Sequence, residues 1–124
     1  MQAETVFRNQ VHKALSENGF VLFRNNVGVA IERSRCPSGG VNLRDAPVGD
    51  DARIIRYGVC NPGGSDLLGY RRIDGLFAAI ETKIGRNKLT PEQANFLEQV
   101  RKSGGIGVES RNLEKTVYEC LHRS

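Results

Sequence analysis

The sequence predicts an α/β domain in which a mixed sheet carries helices packed on it. Three observations lead there. The hydrophobic periodicity alternates along the chain in the order α-β-β-β-β-α-β-α. The segment LFAAIETK (76–83) begins apolar on both alternating faces, as a strand covered on both sides does. A chain of 124 residues, 39% hydrophobic and 26% charged, fits a single domain spanning 1–124 with a modest core.

Ala3 to Glu17 reads as an amphipathic helix. Phe7, Val11, Ala14 and Leu15 share a stripe, and Asn18-Gly19 stops it. Glu4 falls on the same stripe, so its carboxylate sits either at a frayed start beside the positive dipole end or aimed into a site. FVLFRNN (20–26) reads as a strand. Residues 28–51, rich in Gly, Pro, Ser and charge, are expected to be an irregular or flexible insertion, functional or a tether.

ARIIRYGV (52–59) is the next strand, ended by NPGGS, and two more follow over 66–70 and 76–83. LTPEQANFLEQVRKSGG sets a helix with Thr90 as N-cap, Pro91 in the first turn and Gly104 past the end; Phe96, Leu97 and Val100 form its core face. Residues 106–109 give a short strand and 112–122 a final helix.

The totals exclude several classes. No run of about 18 apolar residues suggests a membrane helix, and MQAETVFRNQ lacks a signal-peptide pattern, so a cytoplasmic location is expected. Cys36, Cys60 and Cys120 form no C-x-x-C pair, and His12 and His122 are the only histidines; free thiols are expected rather than a zinc site or disulfide framework. Net charge of +4 is compatible with a phosphate-bearing partner.

The chemistry concentrates in SDLLGYRRIDGLFAAIETKIG (65–85). Alternation puts Phe77, Ala79, Glu81 and Lys83 on one strand face, so a carboxylate and an ammonium emerge together from an apolar surround. Each needs a partner there. A hairpin folded about Ile73–Asp74 lays Asp66 across from Glu81, and a shifted register lays it nearer Lys83. Opposed carboxylates repel unless a cation lies between them. Two carboxylates with open positions suit Mg²⁺ or Mn²⁺, and a desolvated lysine beside them suits phosphodiester hydrolysis. A plain strand-end salt bridge accounts for E-x-K as well.

Asp66, followed by Glu81-Thr82-Lys83, resembles the motif of the PD-(D/E)xK nuclease superfamily. GSDLLGY, FAAIETKIGRNKLTPEQANFLEQVRKSGG and RNNVG are similar to its VRR-NUC family, over Glu4 to about Glu109. Ser65 stands where the superfamily has proline.

The resemblance implies a restriction-endonuclease-like core, a central mixed β-sheet flanked by helices. It implies Asp66 and Glu81 as ligands of Mg²⁺ or Mn²⁺, completed by the Thr82 backbone carbonyl, and Lys83 as the catalytic lysine. Gln93 would stand beside the site and Glu4 would reach it through water, although a capping box with Thr90 also explains Gln93.

The implied activity is metal-dependent DNA cleavage, structure-specific on branched DNA such as Holliday junctions, by a phage-type homodimer. No membrane or organic cofactor is expected. The alternatives are a flap- or end-specific nuclease of the same chemistry and a catalytically silent nucleic-acid-binding module. Candidate DNA contacts are Arg24, Arg33, Arg35, Arg44, Arg71, Arg72, Arg86 and Lys88.

Overall fold

The computed structural model describes residues 2–26, 28–33, 52–58 and 63–123. Helix α1 (Ala3–Glu17) starts at Gln2 without a side-chain cap, with Glu4 in its first turn beside the positive end of the dipole. It buries Val11 and Leu15. Gly19, at φ +90°, adopts the left-handed conformation that turns the chain into β1 (Phe20–Arg24). The His12 ring meets the Leu22 carbonyl at 3.0 Å and ties α1 to β1.

Strands β2 (Gly28–Arg33) and β3 (Ala52–Tyr57) pair antiparallel as a separate two-stranded sheet, with Gly28 opposite Tyr57. This corrects the expectation of irregular structure from residue 28 onward. GVAIER is apolar and β-branched enough to stay extended once ARIIRY lies beside it, but that partner is distant in sequence. Residues 34–51, including Arg35 and Arg44, lie outside the described part, as do Cys36 and Cys60.

The main sheet is four-stranded and mixed, ordered β1-β4-β5-β6 with β4 (Leu67–Arg71), β5 (Phe77–Thr82) and β6 (Ile106–Ser110). β4 runs antiparallel to both β1 and β5. β5 and β6 are parallel, joined through α2 (Pro91–Lys102) as a β-α-β unit.

Helices cover both faces. Val11 and Leu15 of α1 and Cys120 of α3 (Leu113–His122) pack on Leu67, Ala78, Ile80, Ile106 and Val108. On the opposite face Leu97 and Val100 of α2 pack on Leu68 and Ala79. Burying a Leu or Ile side chain of this kind contributes about 1.5–3 kcal/mol. The expected α/β class, a mixed sheet flanked by helices, is therefore the observed one. Among the described residues no helix is long and apolar enough to cross a membrane.

The ends of α2 follow from its sequence. Thr90 Oγ1 accepts from the Gln93 N–H at 3.1 Å and Gln93 Oε1 accepts from the Thr90 N–H at 3.0 Å, a complete capping box. At Gly107 the helix meets β6 so closely that a Cβ would lie 2.6 Å from the Leu97 carbonyl oxygen.

Candidate active site

The β4–β5 hairpin builds the site at the end away from its turn. Leu67 pairs with Ile80 and Tyr70 with Phe77, so continuing the register by one residue puts Asp66 opposite Glu81. The Asp66 N–H donates to Glu81 Oε2 at 3.0 Å. In return, Asp66 Oδ2 accepts from the Thr82 N–H at 3.2 Å and the Thr82 hydroxyl at 2.8 Å. Thr82, fully buried, thus orients Asp66 through its amide and hydroxyl.

Glu81 is 2% exposed. Its carboxyl is pushed up to about 7, first by burial and then by the neighbouring Asp66 charge, against the opposing pull of Lys83. Glu4 also raises it, which brings the first turn of α1 within electrostatic range of the site. The side chain of the half-buried Glu4 makes no hydrogen bond or ion pair among the described residues.

Lys83 Nζ lies 3.7 Å from Glu81 Oε1, with the lysine side chain 13% exposed. The Lys83 N–H donates to the Ser110 carbonyl at 3.0 Å, which fixes its backbone to the end of β6. Gln93 Nε2 donates to Glu81 Oε1 at 3.1 Å. Capping and site contact therefore coexist in one side chain: its oxygen serves the helix and its amide nitrogen serves Glu81. Asp66, Glu81, Lys83 and Gln93 converge as the sequence suggested, with Glu4 near them.

The candidate DNA contacts divide. Arg24, at the site end of β1, and Arg86 and Lys88, in the loop after Lys83, are exposed. Arg33 belongs to β2. Arg71 is corrected: it is 6% exposed and committed to the fold. Its Nε donates to Asp74 Oδ1 at 3.1 Å, its Nη2 pairs with Asp74 Oδ2, and its Nη1 donates to the Cys120 carbonyl at 2.9 Å, near the end of α3. Hydrogen bonding to Asp74 raises the affinity of Arg71 for its proton and lowers that of Asp74. Arg72 is exposed, but like Arg71 it lies at the turn end of the hairpin, opposite Asp66 and Glu81.

Two residues escaped sequence reasoning. Glu109 stands opposite Glu81 in the β5–β6 register, with its Oε2 held by Arg111 Nε at 2.6 Å. Arg111 also donates to the Gly85 carbonyl at 3.3 Å and to the Asn87 carbonyl, which fastens the loop that follows Lys83. A motif scan gives no signal for either, because both roles depend on β6 lying beside β5.

Among the described residues no group of three or more His, Cys, Asp and Glu side chains converges as a metal cage. The donor set is instead two carboxylates on adjacent strand ends, one buried and raised by the other's charge. That fits Mg²⁺ or Mn²⁺, which take oxygen donors and keep several waters, and does not fit a thiolate- or imidazole-seeking ion. No family model matches the chain, and no curated protein matches it.

Proposed function

We propose that the chain is a metal-dependent DNA endonuclease of the PD-(D/E)xK type, related to the VRR-NUC family, that hydrolyses phosphodiester bonds. The observation that carries this is Glu81, almost wholly buried, beside Asp66 and 3.7 Å from Lys83 Nζ. A buried carboxylate costs stability unless something offsets its charge. One ammonium beside two carboxylates leaves a net negative site that a divalent cation would complete.

Asp66 and Glu81 would hold Mg²⁺ or Mn²⁺, with the Thr82 carbonyl as a further oxygen and Glu4 acting through water. Such an ion supplies Lewis acidity toward the phosphoryl oxygens. Thr82 keeps the Asp66 carboxylate turned, and Gln93 and the Asp66 amide fix both Glu81 oxygens, so the site is organised before substrate arrives. Lys83 positions the attacking water and offsets negative charge as its oxygen bonds to phosphorus and the opposite P–O ester bond breaks. The family resemblance adds branched DNA such as a Holliday junction as substrate, and a homodimer presenting two sites.

The test is cleavage of labelled four-way junction, flap, linear duplex and single-stranded DNA in Mg²⁺, Mn²⁺ and EDTA, beside Lys83→Ala and Asp66→Ala. Metal-dependent cutting of branched DNA, lost in both variants, is expected. No cutting of any DNA by the wild-type chain in either metal overturns the proposal.

A further inference from the structure

The face of the sheet that carries Asp66 and Glu81 continues into aromatic side chains that the described residues leave exposed. By register, three cross-strand rows lie on this face. Asn25, Asp66 and Glu81 make the first; Phe23, Leu68 and Ala79 the second; Val21, Tyr70 and Phe77 the third. Helix α2 covers Leu68 and Ala79. It leaves Phe23 63% exposed, Tyr70 43% and Phe77 44%. Phe23, Leu68 and Phe77 line a depression of about 310 Å³ that reaches Asn25 in the row of the carboxylates.

We propose that this face stacks unpaired bases of the DNA strand that is cut, an inference that rests on the nuclease proposal and adds to its branched substrate a preference for bases left unpaired next to the cut. The rows are spaced by about 7 Å along the strands, close to the rise of one extended nucleotide. A phosphate at Asp66 and Glu81 therefore leaves the next bases at Phe23 and then at Tyr70 and Phe77. Flat apolar rings serve as platforms for bases of any sequence, and Arg24, which follows Phe23 on the edge strand, is exposed and also lines the depression, bringing positive charge to its rim. A paired base has its faces stacked on its neighbours within the duplex, so these rings select strands that have left it. A second copy of the chain is the weaker occupant: the three side chains expose roughly 300 Å², against about 800 Å² per partner in a stable interface.

The test is fluorescence anisotropy in EDTA, where no metal-dependent cutting intrudes, with a labelled duplex bearing one single-stranded arm and the same duplex fully paired. Phe23→Ala should weaken binding of the armed duplex about tenfold and move the paired duplex less than about twofold, while Phe23→Trp keeps wild-type affinity. Tyr70→Ala should act in the same direction. Equal losses on both DNAs, no loss on either, or a wild-type chain that binds neither overturns the inference. So does sedimentation showing a wild-type dimer that Phe23→Ala converts to monomer, which assigns the face to a second copy. Ring-dependent preference for the armed duplex from a chain that cuts no DNA in Mg²⁺ or Mn²⁺ retires the nuclease proposal alone; metal-dependent cutting without that preference retires this inference alone.

Discussion

The main-chain N–H of Asp66 donates to the Glu81 carboxylate at 3.0 Å, while the Asp66 carboxylate is held by the amide and hydroxyl of Thr82. Each strand end thus fixes the acid of the other. Two carboxylates brought together this way repel, and the hydrogen bonds keep them from swinging apart to relieve it. The site stores electrostatic cost in the cation-free chain, and that cost can be measured.

The first prediction is a pH dependence of stability with an unusual sign. The Glu81 carboxyl, ordinarily near 4.5, is pushed up to about 7 in the fold. The folded chain therefore holds this proton more tightly than the unfolded one. Its contribution favours folding below about 4.5 and is lost as pH rises to about 7, amounting to about 3 kcal/mol. Thermal melts in EDTA across pH 5 to 8 should show Tm falling, and a saturating divalent cation should remove the fall by stabilising the ionised form. A flat wild-type profile in EDTA, or one that Glu81→Gln leaves unchanged, would contradict the assignment.

Gln93 joins helix capping to the site, and the two roles are separable. Thr90→Ala removes the side-chain acceptor at the N-cap and should cost about 1 kcal/mol with the rate of the proposed DNA cleavage near that of wild type. Gln93→Glu retains a capping-box residue but sets a carboxylate against Glu81 in place of the amide donor. Its Tm should change little beyond that repulsion, while kcat falls by at least tenfold. Equal rate losses in both variants would make capping the only function of Gln93.

How much of this was legible depended on where each partner lay in the sequence. Asp66 could be brought to the Glu81–Lys83 end of β5 because the Ile73–Asp74 turn between them is local, and of the two registers left open the observed one sets it opposite Glu81. The start of α2 could be read because Thr90, Pro91 and Gln93 carry their own geometry. Strand β2 could not, since its pairing is with β3 across a long intervening segment. Arg71 looked like half of a basic pair, but its burial is decided by the end of α3, far along the chain. Arg111 likewise gains its role only when Gly85 and Asn87 fold against it.

Arg71 and Arg72 should consequently behave as opposites despite being neighbours. Arg71→Ala leaves Asp74 with the Leu76 N–H alone and the buried Cys120 carbonyl without its guanidinium donor, so Tm should drop sharply. Arg71→Lys should recover little, because an ammonium cannot reproduce the forked contacts. Arg72→Ala, at an exposed position, should stay within about 0.5 kcal/mol of wild type. Comparable melts for the two alanine variants would contradict the placement of Arg71.

The last prediction concerns the distance between α2 and the sheet. A Cβ at Gly107 would meet the Leu97 carbonyl oxygen at 2.6 Å and the Arg101 side chain at 3.3 Å, so Gly107→Ala must push α2 away from β6. That displacement should cost about 1–3 kcal/mol. Because α2 also carries Gln93 to Glu81, the same shift should lengthen their 3.1 Å contact and lower the cleavage rate. Gly104→Ala makes the control. Its Cβ meets nothing within 4 Å, but φ of +91° strains any side chain there by about 1–2 kcal/mol. Both variants should therefore melt earlier, and only Gly107→Ala should lose activity at temperatures where both stay folded. If the two lose activity in proportion to their melting temperatures, helix placement does not reach the site, and Gln93 would have to be held by its cap alone.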